Sequence, residues 1–479
     1  MTNTIATHCF TQEEIHHFAH SSGDWNPIHI DPVAARRLLA GSTVVHGMAS
    51  LLWALEAHFF TASEVPAQIT VFFQHPLIPE EELQLHRTKE DGATRLSIQH
   101  YGEEAISILL RGYANSIDSE LPEHIPPRTT PKIHTFAALK DASGILDVSG
   151  GSQNIQQCYP HSVTRLGLLP VASIMALSRL VGMQSPGLHS LYTGLDLTLD
   201  ATQRQAYLQW KVTRHSVPFA PIRMQIKGAG IRANVDAFVR PEPVAQPAIS
   251  EIARIIAPKQ CAEQRAVIIG GSRGLGELIA KITAAGGGEA IITYKSGVED
   301  AQRVVHEITE WGGKAQCLHA DSAKTELFVD SLIALAPTHL YYFATPHITA
   351  QKNVMIDQNL LQSYTRIYVD DFERLINTIA PRIAYTLHVF YPSTIFIDQQ
   401  PSHFAEYIQA KLEGEKRSDK LMKKYPNINI IINRLPRMNT DQTASLLPVS
   451  VKPALREMQR VVIQMPRSTP TQKNMSHDS

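Results

Sequence analysis

The stretch SGDWNPIHIDP, residues 22–32, sets a carboxylate at Asp24 and an imidazole at His29 five positions apart, with Asn26 and Pro27 stiffening the bend between them. Such a pair can be tuned to opposite protonation states near neutral pH, one group taking a proton while the other gives one. A second set lies toward the other end, where Tyr407 and Lys411, in EYIQAKLEGE, share one face if the segment is helical. An ammonium beside a phenol favours the phenolate and brings a proton donor toward neutrality. Just upstream, FYPST offers the hydroxyls of Ser393 and Thr394 to orient a carbonyl. A third signal is IIGGSRGLG, with Gly270, Gly274 and Gly276 after an apolar run. Taken alone, an Asp-x4-His is a helix cap plus a satisfied loop histidine, and a Tyr-x3-Lys is a coincidence. The elements around them must decide.

Those elements change character along the chain. Thr11 and Glu14 form a capping box for a helix with Ile15 and Phe18 on its apolar face. DPVAARRLLAG reads as a short helix stopped by Gly41, and HGMASLLWALEAHFF as a long apolar one. Alternating runs then predict antiparallel strands, a helix wrapped in a meander. Residues 116–150 read as a Pro-rich linker. From 151 to 243 the helix-plus-meander grammar repeats, with LGLLPVASIMALSRLVGMQSPG as its helix, and 244–261 is a second linker. From 262 strands and helices alternate, which predicts a parallel sheet with helices on both faces. The remainder, 466–479, reads as a flexible tail.

The 479 residues carry a net charge of -1, with 43% hydrophobic and 19% charged. Nothing there suggests a polyanion partner, so no nucleic acid is expected. The 4 cysteines lie far apart, without zinc or disulfide spacing, and are expected as reduced, buried thiols; no metal is expected. The amino end lacks a signal-peptide pattern and no apolar run reaches about 18 residues. A soluble, cytoplasmic protein with no membrane partner is expected.

The glycine-rich turn sits between a strand and a helix, where backbone N–H groups and the helix end face a pyrophosphate. Arg273 in that turn, and Tyr294 and Lys295 at the end of the next strand with no carboxylate there, favour a ribose 2′-phosphate and hence NADPH. The alternative is that both cations are ordinary surface charges.

Residues 262–465 resemble the short-chain dehydrogenases/reductases, especially ketoreductases acting on acyl thioesters. The resemblance implies that Gly270, Ser272, Arg273, Gly274, Leu275 and Gly276 hold the dinucleotide, with Asp321 near the adenine. It makes Tyr407 the proton donor, Lys411 its partner, and Thr394 or Ser393 the hydroxyl, the family spacing favouring Thr394. The chain departs from that family where FATP replaces an Asn-Asn-Ala-Gly stretch, where the helical Asn is replaced around Tyr368, and at Pro436-Arg437.

Residues 8–115 resemble the MaoC-like (R)-specific enoyl-CoA hydratases, through SGDWNPIHIDP and the VVHGM that follows. That resemblance implies a hot-dog fold in which Asp24 and His29 are catalytic, Asn26 orients the loop or a water, and the Gly47 N–H stabilises an enolate at a helix start. His46 is read as structural. The second helix-plus-meander lacks the motif, so it is expected to complete a double hot dog and to shape an acyl tunnel, with His189 and Ser190 outside the chemistry.

The expected architecture is therefore multidomain, an α+β double hot dog followed by an α/β Rossmann doubly wound parallel sheet. The expected function is NADPH-dependent reduction of a 3-oxoacyl thioester, on CoA or acyl carrier protein, then syn dehydration to the trans-2-enoyl thioester, in fatty-acid or polyketide-type assembly. One alternative is a hydratase/dehydratase whose nucleotide domain is inert; another is a non-catalytic carrier-protein scaffold. A homodimer is expected from the habit of hot-dog domains.

Overall fold

The computed structural model describes residues 3–38, 40–90, 92–117, 120–215, 221–349, 356–443 and 450–466. The chain divides into two compact units, the first ending at Glu242 and the second beginning at Pro243.

In the first unit, alternating apolar residues build β1 (Asn3–Cys9), β2 (Gln68–Phe73), β3 (Glu82–Glu90), β4 (Ala93–His100), β5 (Glu103–Arg111), β6 (Ser143–Asp147), β7 (Ser190–Leu199), β8 (Tyr207–His215), β9 (Pro221–Gly228) and β10 (Ile231–Val239). Among the described residues they form one antiparallel sheet in the order β1-β3-β4-β5-β2-β7-β10-β9-β8-β6. Read from each outer edge inward, the halves have matching orders, joined where β2 pairs with β7. The period-2 pattern is plain in β9 and β10, where Ile222, Met224, Ile226, Ile231, Ala233 and Val235 are buried and Arg232 and Lys227 are exposed.

Two apolar helices fill the core. Gly47–Phe59 buries Met48, Leu51, Leu52, Leu55 and Phe59, and Leu168–Arg179 is buried nearly all round. A helix apolar on every side has no solvent face to offer, and it packs only inside a fold. Each fully buried Leu there contributes roughly 1.5–3 kcal/mol.

Four expectations need correction here. The segment read as a linker over 116–150 contains β6, which extends the sheet edge against β8; its short GILD run was masked by the prolines before it. The segment read as a linker over 244–261 contains the helix Ile249–Ile252, and Ile249, Ile252, Ile256 and Cys261 are core residues of the second unit. Among the described residues, DPVAARRLLAG is helical only over Pro32–Ala35. Cys9 and Cys158 are exposed, not buried. Strand β1 was also missed, because polar Asn, Thr and His interrupt its alternation. The expected tail falls at 466–479, of which 467–479 lies outside the described residues.

The second unit holds β11 (Arg265–Ile269), β12 (Glu289–Tyr294), β13 (Lys314–His319), β14 (His339–Tyr342), β15 (Leu387–Thr394) and β16 (Ile428–Leu435), parallel throughout, in the order β13-β12-β11-β14-β15-β16 among the described residues. Strand order reverses beside β11, so the crevice at its carboxyl end is where such a sheet receives a ligand. The glycine-rich turn follows β11 directly and leads into the helix Gly274–Ala285. No single helix among the described residues is long and apolar enough to cross a membrane.

Candidate active site

In the first unit, the helix Gln12–Ser22 carries the Thr11–Glu14 capping box at its start and ends at Gly23, whose φ is +76°. Asp24 comes next and is only 1% exposed. The Asn26 side chain accepts from the Ile28 N–H at 3.2 Å and starts the single turn Pro27–Ile30. That turn brings His29 Nε2 back to 3.9 Å from Asp24 Oδ2. His29 Nδ1 lies 2.8 Å from the Val44 carbonyl. A carbonyl only accepts, so Nδ1 carries the proton and Nε2 faces Asp24 as the basic nitrogen.

His46 backs this pair. Its Nε2 donates to the Asp24 carbonyl at 3.1 Å, and its ring stacks on His29 with centroids 3.8 Å apart. Burial holds its pKa well below 6.5, so it is a neutral plate behind the His29 ring. Its Nδ1 has no partner among the described residues.

The second half of the unit closes over the carboxylate. Ser178 Oγ donates to Asp24 Oδ2 at 2.6 Å. The π-helical turn Leu180–Gln184 follows, and a Cβ added at Gly182 would meet Asp24 Oδ1 at 2.3 Å. Asn26 Nδ2 donates to the carbonyls of Gly182, Gly187 and Leu188 at 2.8, 3.3 and 3.4 Å. Asn26 thus pins the loop to the other half, the loop-orienting one of its two expected roles.

Burial raises the Asp24 carboxyl above its usual range, opposed by His29 and then by Ser178. Burial lowers His29, opposed by the Asp24 charge. The two proton affinities converge, which suits a pair that hands protons to and from adjacent atoms. Asp24, His29 and His46 each place a ligand-type atom within 4.8 Å of the others. Hydrogen bonds with Ser178, the Val44 carbonyl and the Asp24 carbonyl engage one side-chain atom of each. Gly47 opens the helix Gly47–Phe59 and is half-buried against Phe73; among the described residues its N–H meets no acceptor.

In the second unit, a Cβ at Gly276 would strike the Gly270 carbonyl at 2.3 Å, so the turn closes on itself only with glycine there. At Gly274, where φ is +59°, an added Cβ meets nothing within 4 Å among the described residues. The turn is tight on its inner side and open on its outer side, at the start of a helix with no side-chain cap among those residues. This fits a phosphate. Ser272 is buried in the turn and Leu275 packs into the core. The two cations expected to face a ribose phosphate are engaged: Arg273 lies 3.4 Å from Asp441, and Lys295 3.1 Å from Asp321. Tyr294 stands edge-on to His319.

Tyr407 and Lys411 lie on the helix Ala405–Lys424. Thr394 opposes the rise of the Tyr407 pKa, whereas Ser393 Oγ donates to Glu415 at 2.5 Å. Thr394 is therefore the hydroxyl at the phenol. Lys411 corrects the expectation made for it. Its Nζ donates to the Pro392 carbonyl at 2.7 Å and sits 3.7 Å over the Tyr368 ring, but 5.9 Å from the Tyr407 centroid. Burial pushes the Tyr407 phenol up to about 12 and the Lys411 ammonium down to about 7. Desolvation outweighs the lowering by Thr394 at the phenol and the pull of Glu415 on the ammonium. Tyr368 also shares a 2.6 Å hydrogen bond with Thr345 of the FATP loop.

The family model described as MaoC like domain matches residues 2–104. Residues 2–104 are a MaoC like domain. Over 70 residues the chain is 39% identical to a 1-cyclohexenylcarbonyl-CoA reductase of Streptomyces collinus, a match spanning 14% of this chain and 25% of that protein. Among solved structures, a short chain dehydrogenase from Burkholderia cenocepacia J2315 in complex with NADP is 21% identical, covering 43% of this chain and 91% of that one, with a TM-score of 0.38. An oxidoreductase, yciK, from E. coli is 18% identical over 43% of this chain and 91% of its own, with a TM-score of 0.39.

The MaoC like domain supplies Asp24, Asn26, His29, His46 and Gly47, all on one short run of chain. Ser178 and Gly182 lie beyond it, and sequence reasoning missed both. LSRLVGM contains no spacing that marks a hydroxyl or a glycine for Asp24; only the packing of the helix Leu168–Arg179 beside the Asp24 loop selects them.

Proposed function

We propose that the first unit dehydrates a 3-hydroxyacyl thioester to the trans-2-enoyl thioester, and that the second reduces the 3-oxoacyl precursor. One observation carries the reading: a buried carboxylate and a neutral imidazole converge at 3.9 Å on a loop of a MaoC like domain. His29 Nε2 and Asp24 serve as the two proton carriers, one at C2 and one at the departing oxygen. C2–H and C3–O break, the C2–C3 double bond forms, and water leaves. The Gly47 N–H, at the start of its helix, would receive charge developing on the thioester oxygen. The first unit is read as a double hot dog, supported by its mirrored strand order.

In the second unit, Gly270, Ser272, Arg273, Gly274, Leu275 and Gly276 would hold the nucleotide, with Tyr294, Lys295 and Asp321 at its adenosine end. When bound, NADPH supplies hydride to C3. Tyr407 then protonates the new alkoxide, Thr394 orients the carbonyl, and Lys411 with Tyr368 sets the charge behind the phenol. The product of one unit is the substrate of the other. The thioester is carried on CoA or acyl carrier protein.

Mass spectrometry of a 3-oxoacyl thioester incubated with protein and NADPH tests both units. A gain of two hydrogens followed by loss of one water is expected, the second change vanishing in Asp24→Asn and His29→Ala and the first in Tyr407→Phe. A wild type that loses no water from the 3-hydroxyacyl thioester sinks the dehydratase reading. A second reading, an inert nucleotide-binding unit, is favoured by the Lys411 ammonium being turned to Pro392. It predicts no NADPH oxidation by a 3-oxoacyl thioester above background, in the wild type as in Tyr407→Phe.

A further inference from the structure

Arg240 follows β10 in the first unit and is 4% exposed. Its Nη2 donates to the Leu188 carbonyl at 2.5 Å, but Nε and Nη1 have no hydrogen-bond partner among the described residues. No carboxylate among those residues pairs with it; the nearby Glu242 lies 3.8 Å from His189 instead. Burial alone, with no anion opposing it, draws the guanidinium down to about 10. A buried cation with two unmet donor positions carries a desolvation cost that only an acceptor or an anion offsets.

Its position says where that acceptor comes from. The Leu188 carbonyl that takes Arg240 Nη2 also accepts from Asn26 Nδ2, two residues from Asp24. The guanidinium and the catalytic loop therefore meet at one oxygen. The charge of Arg240 disfavours protonation of both His29 and His189. His189 Nδ1 is itself buried without a partner among the described residues. A group that meets the Asp24–His29 loop through a shared carbonyl is badly placed for phosphates at the far end of a pantetheine arm, and well placed for the acyl portion.

We infer that Arg240 binds an anionic oxygen on the acyl portion of the thioester held at Asp24 and His29. The inference rests on the dehydratase reading of that pair. Two sources supply this chemistry: a carboxylate carried on the acyl chain, or the thioester oxygen itself as the enolate forms. In the second case a proton leaves C2 for the Asp24–His29 pair and the C–H electrons form the C1–C2 double bond. The carbonyl pair then moves onto the oxygen beside Arg240. Collapse of the enolate expels the C3 hydroxyl as water, protonated by the second member of the pair.

The full chain and its Arg240→Met and Arg240→Lys variants are compared by calorimetry with butyryl-CoA and succinyl-CoA, neither of which has a hydroxyl to lose, and by kinetics with 3-hydroxybutyryl-CoA. For an acyl carboxylate, Arg240→Met binds succinyl-CoA at least about thirtyfold more weakly and butyryl-CoA unchanged. For an enolate oxygen, both affinities hold and kcat falls at least about thirtyfold at constant KM. Arg240→Lys recovers part of either loss. Arg240→Gln is read instead if the Met variant does not melt cooperatively. A folded variant with both affinities and kcat within about threefold of wild type overturns the inference. A wild type that binds thioesters yet never dehydrates 3-hydroxybutyryl-CoA overturns the dehydratase reading instead, and the affinities still decide whether Arg240 holds an anion.

Discussion

Ser178 Oγ donates a 2.6 Å hydrogen bond to Asp24 Oδ2 across 154 residues of chain. Asp24 comes from the MaoC like domain and Ser178 from the helix of the motif-less repeat. The second half therefore supports the carboxylate directly, in addition to any part it has in shaping an acyl tunnel. Its bond opposes the burial that raises the Asp24 carboxyl.

Removing that hydroxyl has a defined sign. Ser178→Ala takes away an interaction that lowers the Asp24 pKa, so the limb of the dehydration pH–rate profile belonging to Asp24 moves to higher pH. Stability falls by about 1.5–3 kcal/mol, as for a hydrogen bond to a charged group. A limb that stays put or moves lower refutes this account of Ser178.

Gly182→Ala is expected to cost far more activity than its single methyl suggests. The added Cβ lands 2.3 Å from Asp24 Oδ1, so the carboxylate must shift. A displacement of that order lowers kcat on the order of a hundredfold. NADPH oxidation by a 3-oxoacyl thioester, measured on the same variant, stays at the wild-type rate.

His58 makes the first unit sensitive to acid. It is buried in the helix Gly47–Phe59, its Nδ1 has no partner among the described residues, and burial lowers its pKa to about 4. Between about pH 6.5 and pH 4 the unfolded chain binds a proton that the folded chain refuses, so stability drops as pH falls, by up to about 1.4 kcal/mol per pH unit. His58→Leu flattens that slope. Denaturant melts of wild type and variant at pH 5 and pH 7.5 check it, and equal differences at the two pH values contradict it.

Lys411 Nζ lies 3.7 Å over the Tyr368 ring, so the proposed reduction is expected to depend on that ring. Tyr368→Phe keeps the ring and loses only the bond to Thr345. Tyr368→Leu loses the ring, worth about 0.5–2 kcal/mol for a cation over an aromatic face. Reductase kcat is expected to fall further in the Leu variant, with its pH profile displaced, while Phe stays near wild type. Equal losses in both remove the ring from the explanation.

Lys295 is paired with Asp321 at 3.1 Å, and in the proposed nucleotide site a ribose phosphate would compete for it. The pair is exposed enough to be worth little by itself, so a phosphate displaces Asp321 readily. Asp321→Asn raises the NADPH-to-NADH ratio of kcat/KM, and Lys295→Ala lowers it, each by up to about tenfold. Unchanged ratios in both variants assign these two residues to the surface.

Local features of this protein were legible in one dimension because the forces behind them act over a few residues. The Thr11–Glu14 box, the Asn26-Pro27 turn that returns His29 toward Asp24, the Gly270–Gly276 turn and the period-2 strands each follow from neighbouring side chains and backbone. What the tertiary structure decided are matters of burial and of partners far along the chain. Ser178 and Gly182 reach Asp24, and Arg240 reaches the Asn26 loop, only because two helix-and-meander halves share one sheet through β2 and β7. The same holds for Lys411: four-residue spacing placed it on the Tyr407 face of a helix, but the Pro392 carbonyl and the Tyr368 ring claimed its ammonium. Desolvation and long-range contact set a charge's behaviour, and neither is written in the spacing of residues.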